Sequence, residues 1–448
     1  MRPLADDGRV NTRFLSARQL VCALALSFAS LSFAQTYEVK PSAPEFEKFK
    51  PLQAPEAPAK LQLKQGDKLA IIGDSITEQK MYSRIMETYL TVCTPDLGIT
   101  VRQYGWSGER ASGFIKRLTN DCLRFGPTFA TTCYGMNDHR YVPYTDEIGA
   151  DYRANSLAII RSFKANNVRM IHGSPGTVGK MPHWVKSASG TVEDLNLNLL
   201  NLRNSGIEMA KQEGVGFADI FWPMYTGGYF AQKKFGPDFM VSGKDGVHPG
   251  WAGQVVMAYA FLKSMGLDGD IGTLTVDLKK KKGTASMGHE ALAGTGEEFT
   301  FKSSRYPFCA SGPENLDSSI RGGMSVVPFN QDLNRLMLVV KGATKKNYKV
   351  TWGTETHTYT KEELTKGVNL AADFVTNPFS DAFKKVDDAV LAKQTFETQQ
   401  IKKDFRSPEA KADMEAVVTK TEAQRTPLAE AIKKSFVPVT HTVKIVAE

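Results

Sequence analysis

The chain has 448 residues, 42% of them hydrophobic and 23% charged, the balance of an ordinary soluble globular protein. The net charge of +8 raises the question of nucleic acid, but apart from the run Lys279 to Lys282 the basic residues are scattered, so a nucleic-acid partner is not expected. No segment beyond the N-terminus is apolar for long enough to span a membrane, and the length suits one large domain with a substantial appendage or two domains.

Arg9, Arg13 and Arg18 precede the apolar run Leu20 to Ala29, and Ser32 and Ala34 follow as small residues at −3 and −1. A basic flank, a short apolar core and small residues make residues 1–34 a secretory signal peptide, which predicts a secreted or periplasmic protein. Of five Cys, Cys22 lies in that peptide; Cys93, Cys122, Cys133 and Cys309 allow three complete disulfide pairings, and Cys133 reads as a free thiol in a buried strand. There is no Cys-x-x-Cys pair and no His cluster, so neither a metal site nor any cofactor is expected.

Residues 35–60 carry five Pro and no sustained periodicity, as in a linker or a segment draped over a domain. A strand is predicted from Leu61, re-forming after the Gly66-Asp67 turn as Lys68 to Ile72. Helical spacing follows over Met81 to Val92, a strand over Ile99 to Tyr104, a helix over Ala111 to Phe125 and a strand over Phe129 to Tyr134. The alternation continues with helix Ile148 to Asn166, strand Val168 to His172, helix Val192 to Glu213, strand Val215 to Phe221 and helix Ala252 to Met265. Such alternation predicts an α/β fold with a parallel sheet covered on both faces, and functional residues at the carboxyl ends of its strands.

The pattern changes near residue 268. Short apolar runs with Gly, Thr and Lys suggest strands, with Leu336 to Val340 and Tyr348 to Trp352 expected to pair across a Gly342 to Asn347 loop. Two helices rich in Lys, Glu and Ala follow over Asp381 to Phe405 and Pro408 to Ser435, then a closing strand over His441 to Val446. The expected organisation is therefore a catalytic domain over 61–268 and an accessory region of mixed β and α structure over 269–448.

Four short segments carry chemistry. Gly73-Asp74-Ser75 ends a strand and opens a helix, which exposes a Ser hydroxyl. Gly108, in Tyr104-Gly-Trp-Ser-Gly108, offers a backbone N–H with no side chain in the way, and Asn137, in Gly135-Met-Asn-Asp138, offers an amide at the next strand tip. Asp245 and His248, three residues apart in Asp-Gly-Val-His-Pro, can touch, so the carboxylate can fix the imidazole tautomer. Each segment alone has a plain structural explanation, such as a helix cap or an Asx-turn. Together, in this order, they supply a nucleophile, an acid–base pair and oxyanion donors.

These segments resemble the SGNH, or GDSL-like, hydrolases, matched here by Ser75, Gly108, Asn137 and His248 across roughly residues 66–266. The resemblance implies a flavodoxin-like three-layer α/β/α sandwich and a serine esterase acting on short acyl esters, commonly O-acetyl groups on carbohydrate. It assigns catalysis to Ser75, Asp245 and His248 and the oxyanion hole to Ser75, Gly108 and Asn137, with Asp74 and Asp138 as loop supports. Tyr104 and Trp106 depart from the usual second block, where Asn and a small apolar residue are common, and these changes bear on substrate shape. The partner is a small or polymeric ester, acetylated polysaccharide included. Two other readings use the same residues: an O-acyltransferase, and a non-catalytic carbohydrate- or surface-binding protein on a hydrolase fold. His139 is expected at the rim or the surface, and Trp106, Tyr141, Tyr144, Trp184 and Trp222 are loop aromatics able to stack on sugar. His172 and His183 have no evident role.

Overall fold

Five strands, β1 (Lys68–Gly73), β2 (Thr100–Gln103), β3 (Phe129–Cys133), β4 (Arg169–Gly173) and β5 (Gly216–Ala218), form a parallel sheet in the order β2-β1-β3-β4-β5. The computed structural model describes residues 35–448, so the signal peptide expected over 1–34 lies outside the described residues. Alternate residues of β1 enter two cores: Leu69 and Ile71 pack on one face, Ala70 and Ile72 on the other. A strand buried on both faces needs apolar residues at every position, which is why this segment reads as a continuous apolar run. Helices Tyr82–Val92 and Trp251–Ser264 supply Ile85, Met86, Val255 and Phe261 to the first core. Helices Ala111–Arg117, Asp146–Ala165 and Val192–Glu213 supply Phe114, Ile159, Phe163 and Leu202 to the second. The result is the three-layer α/β/α sandwich with a flavodoxin-like strand order.

Several expected elements are corrected. The segment from Leu61 to Lys64 is not a strand. The helix expected to run from Ala111 to Phe125 is α-helical only to Arg117 and continues as wider and tighter turns to Phe125. After β5 the chain enters a helix, Phe221–Phe235, that the sequence hides behind Gly227 and Gly228. Those glycines weaken the helical signal but admit close packing, since a Cβ on either would lie 2.5–2.6 Å from Val326 or Val241.

Beyond residue 268 two further sheets form. The first, in the order β13-β10-β6-β7, contains β6 (Asp270–Asp277), β7 (Lys282–Ala285), β10 (Arg335–Lys341) and β13 (Val368–Asn369). The second, β12-β11-β14-β9-β8, contains β8 (His289–Gly294), β9 (Glu298–Ser303), β11 (Asn347–Trp352), β12 (Glu355–Thr360) and β14 (Val439–Ala447). The expected pairing of Leu336 to Val340 with Tyr348 to Trp352 is therefore wrong: β10 lies parallel to β6, and β11 sits between β12 and β14. Alternation shows which face of a strand is buried but not which strand lies beside it. Tyr37–Glu448 is one compact unit, and the core containing Ile71 and Met86 continues through Leu274, Leu336, Trp352 and Phe379. Among the described residues no helix is long and apolar enough to cross a membrane, and Cys93, Cys122, Cys133 and Cys309 are free thiols.

Two segments close over the sandwich. The Pro-rich stretch packs down through Phe46 and Phe49, with Phe46 edge-on to Trp222, Tyr225 and Tyr229. Buried Arg203 donates to Asp219 and to the Leu52 carbonyl, fixing that stretch to helix Val192–Glu213. On the opposite edge, helices Ser380–Lys402 and Met414–Ser435 cover β2. Lys393 Nζ and Arg425 Nη2 donate to the Val101 carbonyl at 2.7 and 3.1 Å, and the Gln103 N–H donates to Glu397 at 3.1 Å. Charged side chains thus satisfy the open edge of the strand.

The antiparallel sheet holds a directional hydrogen-bond chain. Trp352 Nε1 donates to His441 Nδ1, which leaves His441 Nε2 protonated to donate to Ser303; the Ser303 hydroxyl then donates to His289 Nδ1, and His289 Nε2 to the Ile271 carbonyl. Every donor finds an acceptor only while both imidazoles are neutral. Burial pushes His441 down to about 3, and His139 and His172 to about 4. These three lie below the unfolded value of about 6.5, so their contribution to stability is present at neutral pH and lost on acidification. Asp74 and Asp138, raised by burial to about 7 and about 6, have the opposite sign between about pH 4 and 6. His289, also lowered by burial, and carboxylates held low by their partners, Asp67, Glu78 and Asp245 among them, act in the same direction as the three imidazoles, so unfolding takes up protons and stability falls as the pH falls in that window. Urea unfolding midpoints are expected to fall from pH 6 to pH 4; a flat or rising midpoint would contradict this.

Candidate active site

β1 delivers Ser75 to the carboxyl edge of the parallel sheet. The strand ends at Gly73, Asp74 caps the following short helix by accepting the Ile76 N–H at 2.9 Å, and Ser75 is the first helical residue. The capping role that a Ser could have filled here belongs to Asp74, which leaves the Ser75 hydroxyl for another partner. That partner is His248, with Ser75 Oγ 2.8 Å from His248 Nε2.

His248 reaches Ser75 from a turn just before helix Trp251–Ser264. Asp245 shapes the turn: one carboxylate oxygen accepts the backbone N–H groups of Val247 and His248 at 2.9 and 2.8 Å, and the other lies 2.7 Å from His248 Nδ1. Burial pushes the Asp245 carboxyl up, but the two backbone donors and the imidazole outweigh it and hold the group below its ordinary range. An ionised Asp245 accepts a hydrogen bond from His248 Nδ1–H, so Nε2 is the acceptor facing Ser75. The side chains of His248 and Asp245 are 26% and 40% exposed, which puts this dyad at an open surface.

Asn137 lies where the second and third segments meet. Its amide donates to the Glu109 carbonyl at 3.1 Å and, more loosely at 3.4 Å, to Asp74, while its oxygen accepts the Tyr141 hydroxyl at 3.1 Å. The proton facing Asp74 is the weakly held one. Gly108 has φ +74, a left-handed conformation that favours glycine, and the space its Cβ would enter is open. Asp138 accepts the N–H groups of Ala111 and Gly135, both at 3.0 Å, and so ties the third segment to the helix after the second.

The other candidates separate by burial. His139 is fully buried, not at the rim, with Nδ1 on the Met136 carbonyl. His172 is a core residue within 3.2 Å of Thr132 and Tyr152 hydroxyls, and His183 is exposed. Tyr141 and Trp222 are buried, Tyr141 serving Asn137 and Trp222 packing on Phe46. Trp184 alone among the loop aromatics stacks on the site: it is 50% exposed and its ring lies 5.8 Å from that of His248 at an interplanar angle of 28°.

Sequence reasoning missed the groups behind the second segment. Buried Arg117 donates to both oxygens of Glu109 at 2.7 and 2.6 Å and to the Tyr104 carbonyl at 2.8 Å, and Tyr134 donates to Glu109 at 2.6 Å. The eight-residue spacing of Glu109 and Arg117 across a loop-to-helix junction gave no periodic signal.

Residues 71–256 match the model of the GDSL-like Lipase/Acylhydrolase family. No curated protein sequence matches the chain. Among solved structures, a gut microbial diltiazem-metabolizing enzyme is 22% identical with a TM-score of 0.71, over 88% of this chain and 100% of that one. A catalytic mutant of an acetylxylan esterase from Geobacillus stearothermophilus is also 22% identical, with a TM-score of 0.39, over 46% of this chain and 97% of that one. The first likeness covers too much of the chain to stop at residue 268, so the shared fold includes the sheets beyond the sandwich. Residues 71–256 form a GDSL-like lipase/acylhydrolase domain, and the chain is a carboxylic ester hydrolase.

Proposed function

We propose that the chain is a secreted serine esterase that removes short acyl groups, O-acetyl foremost, from carbohydrate, with Ser75, His248 and Asp245 as its triad. The observation that carries this reading is the hydrogen-bond series Ser75 Oγ to His248 Nε2 at 2.8 Å and His248 Nδ1 to Asp245 at 2.7 Å. His248 takes the Ser75 proton as Oγ attacks the ester carbonyl, and Asp245 stabilises the resulting imidazolium. The oxyanion meets the N–H groups of Ser75 and Gly108 and the loosely held amide proton of Asn137. His248 then protonates the leaving alcohol, and water, activated by the same imidazole, releases the acid. Asp74 and Asp138 support the loops. Chain positions 1–34 read as a signal peptide supply the argument for secretion, and Gln35 is the N-terminal residue expected in culture supernatant.

Trp184 supports a sugar alcohol. The leaving group departs on the His248 side, where the exposed indole offers the kind of flat face on which pyranose rings stack.

Labelling with a fluorophosphonate should place one adduct on Ser75, read by peptide mass spectrometry. The enzyme should release acetate from acetylated xylo-oligosaccharides. Trp184→Ala should raise KM for those sugars about 3–10-fold while leaving p-nitrophenyl acetate hydrolysis little changed. An adduct elsewhere would remove Ser75 as nucleophile, and equal effects on both substrates would remove the sugar platform.

A further inference from the structure

The helix Ser380–Lys402 reaches the second segment through a graded set of contacts along one of its faces. Glu397 accepts the Gln103 N–H at 3.1 Å. Thr398 Oγ1 accepts Gln103 Nε2 at 2.5 Å, and the other end of that amide, Oε1, accepts the Gly105 N–H. At the helix end Lys402 Nζ donates to both oxygens of Glu78, at 2.7 and 2.8 Å, and Glu78 accepts the Ser107 N–H at 2.5 Å. Between these points the Trp106 ring is flanked by Lys402 Nζ and by the Arg406 guanidinium, 5.5 and 5.1 Å from its centroid. Gly105 has no room for a side chain, because a Cβ there would stand 2.2 Å from the Glu78 nitrogen. The loop backbone thus rests directly on the short helix that begins at Ser75, and Glu78, on that same helix, holds the residue before Gly108.

We propose that this helix is a brace for the oxyanion hole, and that Lys402 and Thr398 are positioning residues for the reaction although they lie far along the chain from the domain they serve. Lys402 orients Glu78, Glu78 fixes the Ser107 N–H, and the turn then presents the Gly108 N–H beside Ser75. The inference rests on the proposed role of Gly108 as an oxyanion donor. It gives the region beyond residue 268 a part in turnover. A surface ion pair that only docked two layers would have no reason to end on a backbone N–H adjacent to that donor. Burial pushes the Glu78 carboxyl up, yet Lys402 and the Ser107 N–H together hold it below its ordinary range, so the link is a charged one.

The test uses the full mature chain. Active sites are titrated to the end point with a fluorophosphonate, and p-nitrophenyl acetate turnover is then expressed per labelled site. Lys402→Met should label fully but lose about tenfold in kcat with little change in KM, since a small misplacement of a transition-state donor costs rate and not binding. Lys402→Arg should restore most of the rate. Thr398→Val, nearly isosteric, should lower kcat a few-fold and decides the matter if Lys402→Met does not fold. Fewer labelled sites with normal kcat per site, or unchanged kcat in both variants, would overturn the brace. Full activity in Ser75→Ala would instead overturn the triad on which the inference rests, and the two failures are therefore distinguishable.

Discussion

Ser75→Ala is expected to lower kcat/KM for p-nitrophenyl acetate by about 10⁴-fold or more, while leaving the thermal unfolding temperature near that of the parent. The hydroxyl is the atom 2.8 Å from His248 Nε2, and water cannot take its place with the same geometry. His248→Ala should cost a similar factor, and the double variant little more than either single one, because in the proposed triad nucleophile and base act as a unit. Asp245→Asn should cost less, about 10³-fold. A neutral amide favours the wrong imidazole tautomer, but this carboxylate is 40% exposed, so water can solvate the imidazolium in part. Steady-state kinetics on the four proteins checks the series. Additive losses in the double variant would show that the two residues act separately.

Arg117→Met should lower the unfolding free energy by about 3–5 kcal/mol, the range for removing one member of a buried ion pair. Arg117 is 7% exposed at its side chain, and its partners Glu109 and Asp121 are 7% and 0% exposed. Without the guanidinium, Glu109 keeps the Tyr134 hydroxyl and Asp121 keeps Arg406, but neither is fully compensated. The Tyr104 carbonyl, at the start of the second segment, loses a donor as well. A contrast lies at Arg140, whose partner Glu147 is 77% exposed; Arg140→Met should cost less than about 1 kcal/mol. Urea titration of both variants checks the pair, and equal losses would show that burial does not govern these ion pairs.

The sandwich was legible because both of its rules are local. A strand covered on two faces must be apolar throughout, as Leu69 to Ile72 is, and a surface helix repeats its apolar positions, as Val192–Glu213 does behind its Thr191 and Asp194 capping box. Ser75, Gly108, Asn137, Asp245 and His248 could be singled out because each sits in a short segment with its own turn chemistry, and Asp245 and His248 are close enough in sequence to meet within one turn. What could not be read were pairings between distant segments. Alternation in Leu336 to Val340 and Tyr348 to Trp352 suggested a hairpin, but edge-to-edge partners are set by backbone hydrogen bonds that side-chain pattern does not encode. Glycines chosen for close contact hid helix Phe221–Phe235.

The sequence by itself therefore determined the α/β alternation and the residue types of the site, since those depend on side-chain period and on turns a few residues long. Only the tertiary structure decided that His248 meets Ser75, that Trp184 lies over His248, that Arg117 closes on Glu109, and that Lys402 reaches Glu78. Each of these contacts joins groups whose separation along the chain is arbitrary, so its energy appears only once the cores between them have packed.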